Sequence, residues 1–345
     1  MKRIKAAILG ASGYTGSNLV RLLLAHPQVD LVAITSRSNA GMPVAKVFPR
    51  FAGLPGADLH FIDADMEAVV ASGAEIAFLA LPHGTAAAYA TALLEKGLKV
   101  IDLSADFRVH DPAIYKEFYG ETHPAPELLP EAVFGLPEVH GAAIASARLV
   151  ASPGCYPTSI ILPLLPLLRN KLIDPATIIA NSTSGVSGAG RKADLSLLYV
   201  ECNESVRAYG LPKHRHLSEV EQELSLANGA PVIITFIPHL VPVNAGIHTS
   251  TTATLRGSLD EVTAAMEHTY AQCPFVRLLG PGGCPDTKNV TGTNFIDIGW
   301  HHDPRTGRLL VLSAEDNLGK GAASQAVQSM NLMAGFPETS GLQMV

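Results

Sequence analysis

The chain has 345 residues, a formal net charge of −6 and only 16% charged residues against 47% hydrophobic ones. That balance buries a large core, which excludes a disordered chain, and its acidic sign is wrong for a protein that coats nucleic acid. At about 150 residues per domain the length corresponds to two domains.

No apolar stretch approaches the roughly 20 residues of a membrane span. The greasiest, 160–168, is interrupted by Pro163 and Pro166. The basic start, Met1–Gly10, mimics a secretion signal, but its apolar run is too short and runs into a glycine turn. The four cysteines, Cys155, Cys202, Cys273 and Cys284, contain no C-x-x-C pair and make no disulfide framework. A reducing, cytoplasmic compartment is expected.

In chain order, Ile4–Leu9 reads as a buried strand and Tyr14–His26 as a helix closed by Pro27. Leu31–Thr35 is a second strand, followed by an irregular stretch from Gly41 to Gly56 and a short strand near Leu59–Ile62. Glu75–Ala80, a helix over Thr85–Lys96 and a strand at Lys99–Leu103 continue the alternation. Residues 111–141 read as loop with short helical pieces, and Leu149–Ser152 as the last strand before a helix over Tyr156–Asn170. Such alternation predicts a Rossmann-type α/β domain with a parallel sheet.

The second half differs. Val232–Pro238, Ile247–Leu255, Phe295–Gly299 and Leu309–Ser313 are β-branched or alternating runs, with a helix over Ser258–Gln272. They predict an α+β domain on a largely antiparallel or mixed sheet. Gly321–Met333 reads as an amphipathic final helix. The domains are expected at 1–151 plus 316–345 for nucleotide binding, and 152–315 for catalysis and oligomerisation.

Gly10-Ala11-Ser12-Gly13-Tyr14-Thr15-Gly16 follows the first strand and opens the first helix. Glycines there let backbone approach a pyrophosphate, and a helix N-terminus presents free N–H groups and the positive end of its dipole. The alternative is a tight turn that binds nothing. The second strand ends in Thr35-Ser36-Arg37-Ser38, with no carboxylate to take a ribose 2′-hydroxyl; Asp30 lies at the wrong end. A guanidinium flanked by hydroxyls suits a 2′-phosphate, so the expected cofactor is NADP(H). The plain alternative is an ordinary surface arginine.

Cys155 sits between an apolar strand and a helix, in Ser152-Pro153-Gly154-Cys155-Tyr156-Pro157-Thr158. A helix start favours a thiolate, and Gly154 leaves room for a carbonyl beside the sulfur. A nucleotide domain plus such a thiol suggests an acyl-thioester that exchanges a hydride. The other three cysteines read as inert packing. His214-Arg215-His216 with Glu219 supplies a candidate acid/base and a carboxylate to orient it, either histidine qualifying. The spacing is poor for zinc, and no metal is expected.

Asn181–Lys192 reads as a glycine- and hydroxyl-rich loop that closes over cofactor or substrate, with Ser187 and Gly188 toward the cofactor and Arg191 toward an anion. Pro82 and His83 end one strand at the nucleotide crevice. Ser104 and Arg108 end the next and are candidate substrate ligands.

Together the runs at Gly10–Gly16, Leu81–Gly84, Asp102–Arg108, Ser152–Thr158, Ser184–Arg191 and His214–His216 resemble N-acetyl-γ-glutamyl-phosphate reductases of arginine biosynthesis. The resemblance continues to Glu315–Gly321. It implies reductive dephosphorylation of an acyl phosphate by NADPH, with a semialdehyde and inorganic phosphate as products. Cys155 then matches the family nucleophile and His216 its acid/base, with His214 as rival. Asn317 lies in a loop that contacts the cofactor, and the final helix returns to the nucleotide domain. A homodimer or homotetramer is implied, with no nucleic acid or membrane partner. The rivals are a related reductase of aspartyl or carrier-linked aminoadipyl phosphate, and a non-catalytic NADP sensor.

Overall fold

The protein is described by a computed structural model over residues 2–342. It divides into two compact units. The first comprises the chain up to Lys116, Gly120–Pro153 and the chain from Ala322 on; the second comprises Glu117–Tyr119 and Gly154–Gly321.

The first unit is built on seven strands: β1 (Ile4–Leu9), β2 (Val29–Thr35), β3 (Phe61–Ile62), β4 (Ile76–Leu79), β5 (Lys99–Asp102), β6 (Val133–Phe134) and β7 (Leu149–Ala151). Their order is β3-β2-β1-β4-β5-β7-β6, and every pair is parallel. The central strands are near-continuous apolar runs because both faces are covered; all four residues of β4 are buried. The chain reverses direction across the sheet between β1 and β4, so the carboxyl ends of these strands frame the ligand crevice of such a fold.

The stretch 111–141 holds more order than its Pro- and Glu-rich sequence suggests. It contains a helix over Pro112–Tyr119, capped by Asp111, the edge strand β6, and the start of a helix over Pro137–Ser146. A two-residue strand leaves no alternation to read. The final helix, Ser324–Ala334, is buried on its polar as well as its apolar side, from Ser324 to Asn331. Two of its polar side chains have well-defined partners. Gln328 donates to Glu138 and Glu338, and Asn331 meets His26.

The second unit carries β8 (Ile179–Gly185), β9 (Arg207–Ala208), β10 (Thr235–Val241), β11 (Ile247–Thr254), β12 (Val276–Pro281), β13 (Ile296–Asp303) and β14 (Arg308–Glu315). The order is β12-β13-β14-β11-β8-β10-β9. The sheet is mixed: β12–β13 and β8–β10 are parallel, and the other pairs antiparallel. Asn181–Gly185 lies within β8, not in a loop. Ser182 and Ser184 point inward, and Ser182 Oγ lies 2.7 Å from Thr249 Oγ1.

The Cys155–Arg169 helix packs on β11 and β14 with Pro163 and Pro166 inside it. A proline has no N–H for the carbonyl four residues back. Those two carbonyls, Ser159 O and Leu162 O, instead accept hydrogen bonds from the hydroxyls of Ser313 (2.7 Å) and Tyr270. The proline-bearing helix is thereby tied to β14 and to the Leu259–Tyr270 helix.

Residues 316–321, expected with the nucleotide domain, belong to the second unit. The reason is local bonding: Asp316 accepts from the Gly292 N–H, and Asn317 accepts from the Gly246 N–H while donating to Ser187 Oγ.

Candidate active site

In the first unit, Gly10 has φ +86°, and a Cβ there would fall on the Ala80 carbonyl. A Cβ on Gly16 would strike Gly10 O and Ala11. The turn therefore closes only with glycine at both positions. Gly13 caps the Tyr14–Leu24 helix without a side-chain hydrogen bond, and the space in front of it is open. Tyr14 is exposed and Thr15 half-buried. A helix start with uncapped N–H groups behind a glycine turn fits the phosphates of a dinucleotide.

The end of β2 is joined to this turn. Thr35 Oγ1 accepts from the Gly10 N–H (3.1 Å), and Ser36 Oγ donates to Ser12 Oγ (3.0 Å). Arg37 and Ser38 stand exposed beyond it. Asp30, at the other end of the strand, pairs with Arg3.

Pro82 and His83 are exposed after β4. Their loop is held by Asp106, whose carboxylate accepts from the Gly84 and Ala87 N–H groups and from Tyr115 OH. Ser104 and Arg108, expected to meet substrate, are engaged in building this end of the sheet. Ser104 Oγ donates to Asp102 and accepts from the Asp106 N–H. Arg108 donates to the carbonyls of Ser152 and Leu103 and is only 8% exposed. Burial, and then the neighbouring Asp106, push the Asp102 carboxyl up to about 7.

In the second unit, Cys155 opens its helix behind Gly154. Ser152 does not cap that helix: Gly154 is the N-cap residue, with no side-chain cap. The Gly154 N–H donates to Glu219 Oε2 (3.0 Å), and Glu219 is completely buried. Its other oxygen lies 4.0 Å from His216 Nε2. A Cβ on Gly154 would stand 2.5 Å from His216 Nε2 and 2.9 Å from Glu219 Oε1. Glycine is thus required where the histidine and the carboxylate close on the thiol-bearing turn.

The two histidines differ in surroundings. His214 Nδ1 accepts the His216 backbone N–H (3.1 Å), which puts its own proton on Nε2. Its ring is boxed by Tyr156, Tyr209, Phe236 and His216. Burial, then Arg215, lower its pKa to about 4. His214 is therefore neutral at physiological pH, with one ring nitrogen committed to backbone.

Two tyrosines were not anticipated from the sequence. Tyr209 OH donates to Tyr156 OH (2.9 Å), and burial raises both, Tyr209 to about 12. Adjacency to Cys155 and nearness to His214 were the only signals. Ser187 is buried against Asn317, Gly188 is exposed with Ser184 and Asn317 behind it, and Arg191 is exposed. Among the described residues no cluster of His, Cys, Asp and Glu could hold a metal ion.

Family models match both units: semialdehyde dehydrogenase, NAD binding domain, over residues 5–147, and semialdehyde dehydrogenase, dimerisation domain, over 155–317. The N-acetyl-gamma-glutamyl-phosphate reductase of Akkermansia muciniphila is 58% identical over 344 residues, 99% of each chain. That of Moorella thermoacetica is 52% identical over 99% of this chain and 98% of its own. The chain belongs to the N-acetyl-γ-glutamyl-phosphate reductase family. As a member of that family it is a nicotinamide-dependent oxidoreductase.

Solved structures agree on the fold. Aspartate semialdehyde dehydrogenase II from Vibrio cholerae superposes with a TM-score of 0.73 at 18% identity, covering 97% of this chain and 99% of that one. The aspartate semialdehyde dehydrogenase of Candida albicans gives 0.69 at 15%, covering 96% and 99%. No helix among the described residues is long and apolar enough to cross a membrane.

Proposed function

We propose that this chain reduces N-acetyl-γ-glutamyl phosphate to N-acetyl-glutamate semialdehyde through a thioester on Cys155, with His216 as acid/base. The observation that supports this most is the closure of His216 Nε2 and Glu219 on Gly154, the residue before the thiol.

His216 Nε2 takes the thiol proton as the Cys155 sulfur attacks the acyl carbon. The acyl carbon–oxygen bond to phosphate breaks, phosphate leaves with a proton from solvent, and the thioester remains. NADPH, when bound, supplies the hydride that reduces it. The His216 imidazolium then protonates the thiohemiacetal oxyanion. That proton returns to sulfur as the carbon–sulfur bond breaks, releasing the aldehyde and restoring Cys155. Glu219 stabilises the imidazolium and fixes the Gly154 backbone. His214, neutral and bonded to the His216 N–H, is a positioning residue.

The residues that would hold NADPH are the Gly10–Gly16 turn, Ser36, Arg37 and Ser38 for its 2′-phosphate, and Pro82, His83, Ser187, Gly188 and Asn317 as further contacts. Arg191, Arg108 and Ser104 are the candidates for holding the substrate's anionic groups. The protein works as a cytoplasmic dimer or tetramer.

The test runs the reaction backwards. NADP⁺ reduction is followed with N-acetyl-glutamate semialdehyde and, beside it, aspartate semialdehyde, each with phosphate or arsenate. Turnover with the first aldehyde alone, supported by either anion, is the expected result. Turnover with aspartate semialdehyde, or with neither despite NADPH binding, would overturn the substrate assignment.

A further inference from the structure

After its second strand the stretch 41–57 holds only a four-residue helix, Val44–Val47, and a 3-10 turn, Pro49–Phe51, where a Rossmann crossover ordinarily places a longer helix, and its sequence gives no motif. It is nevertheless firmly folded. The Gly41 N–H donates to Phe61 O, the Val44 N–H to Leu59 O and the Ala45 N–H to Ala57 O, so the segment is bound to the chain entering β3. Phe48 packs its ring against Phe51 (5.5 Å) and Phe61 (6.1 Å), all three buried. Near its end a Cβ on Gly56 would touch Leu24, the last residue of the first helix. Near its middle Arg50 Nη2 lies 3.4 Å from Ser17 Oγ, in that helix's first turn and a half. The segment therefore runs along the Tyr14–Leu24 helix on the β2–β3 side, with Arg50 toward the phosphate end.

Arg50 has no structural duty that requires a guanidinium. It is exposed, pairs with no carboxylate among the described residues, and its head lies over the Phe51 ring at 4.8 Å. Stacking fixes the plane of the guanidinium while leaving edge N–H groups directed outward. Ser17 follows Gly13 by one helical turn, about 5.4 Å. The cation is thus presented about one turn below the helix start, and Ser12, Ser36 and Ser38 gather their hydroxyls where the end of β2 meets the same glycine turn. Arg37 stands exposed just past the end of β2, which is bonded to that turn.

We propose that Arg50 is a second cation for the 2′-phosphate of NADPH and so determines cofactor choice together with Arg37. The inference rests on the NADPH reading above. A dianionic phosphate held by one exposed arginine leaves oxygens without a charged partner; a second planar fork supplies it.

The test measures binding, not turnover. NADPH, NADH and 2′,5′-ADP are titrated into the full chain, wild type, Arg50→Ala and Arg50→Lys, by calorimetry. Arg50→Ala is expected to weaken NADPH and 2′,5′-ADP by about 10- to 100-fold, with NADH changed by less than about threefold. Arg50→Lys is expected to fall between, keeping charge without the fork. Undiminished NADPH affinity, or an equal loss for NADH, would overturn the role of Arg50. A wild type that does not prefer NADPH over NADH would instead overturn the cofactor reading beneath it.

Discussion

The N–H of Gly154 is bonded to the carboxylate of Glu219, so the turn that carries the thiol hangs from the helix that begins after the candidate acid/base. The two groups are 65 residues apart in sequence. One buried carboxylate serves both sides of the reaction centre, fixing backbone on one oxygen and facing the imidazole on the other.

Glu219→Gln retains an acceptor for the Gly154 N–H but removes the charge facing His216. kcat is expected to fall about 10- to 100-fold with little change in melting temperature. Glu219→Ala leaves the N–H unsatisfied and is expected to cost about 1–3 kcal/mol of stability as well. Steady-state kinetics beside thermal melts separate the two effects. Gly154→Ala, whose methyl would collide with His216, should abolish turnover while NADPH binding persists.

The histidine pair should separate cleanly. His216→Asn is expected to lower kcat by about 10²- to 10⁴-fold. His214→Asn, which keeps an acceptor for the His216 N–H, should cost less than about tenfold. Loss of the larger factor at His214 would reverse the assignment.

His214 also makes a prediction about acid stability. Its pKa falls from 6.5 to about 4 on folding, so the unfolded chain binds the extra proton between those values. The stability it contributes is present in full above about pH 6.5 and is lost as pH falls through about 4, on the order of 3–4 kcal/mol in all. Denaturant titrations at pH 7 and pH 4 should show His214→Asn losing less than wild type over that interval.

Asp102 predicts the opposite limb. Its carboxyl is raised from 3.8 to about 7, so the protonated form is favoured by folding. That stability is present in full below about pH 3.8 and is lost as pH rises through about 7. Asp102→Asn should gain in melting temperature relative to wild type as pH goes from 5 to 8. A constant difference would refute the shift.

The proline carbonyls give a test of the scaffold. Ser313→Ala and Tyr270→Phe each remove the hydroxyl placed on a carbonyl that a proline left without an N–H. Each is expected to destabilise by about 1–3 kcal/mol, measured by urea unfolding, with the KM for NADPH unchanged.

What could be read in the sequence was local. The glycine turn follows its own strand and opens its own helix, and Cys155 stands between a strand and a helix, so neighbouring residues announce both. The Glu219–Gly154 bond, the Ser313 hydroxyl on Ser159 and the Tyr209–Tyr156 pair join residues far apart, and no periodicity reports them. Ser104 and Arg108 looked available to a ligand because they end a strand at the crevice; their bonds to Asp102 and to two carbonyls lie in the fold, not in the motif. Asn181–Gly185 looked like loop because its Ser and Thr residues resemble turn chemistry. Within the sheet the same hydroxyls satisfy one another across β8 and β11. Gln328 and Asn331 of the last helix misled for a related reason, since their partners come from Glu138, Glu338 and His26.

The central claim is a covalent one, and it is tested most directly without the reductant. Enzyme is mixed with N-acetyl-γ-glutamyl phosphate in the absence of NADPH, quenched in acid, digested and analysed by mass spectrometry. An N-acetylglutamyl adduct on the Cys155 peptide, formed with release of one equivalent of phosphate and missing in Cys155→Ser, is the predicted result. No adduct and no phosphate release until NADPH is added, from enzyme that turns over normally, would contradict the thioester and move hydride transfer to the acyl phosphate itself.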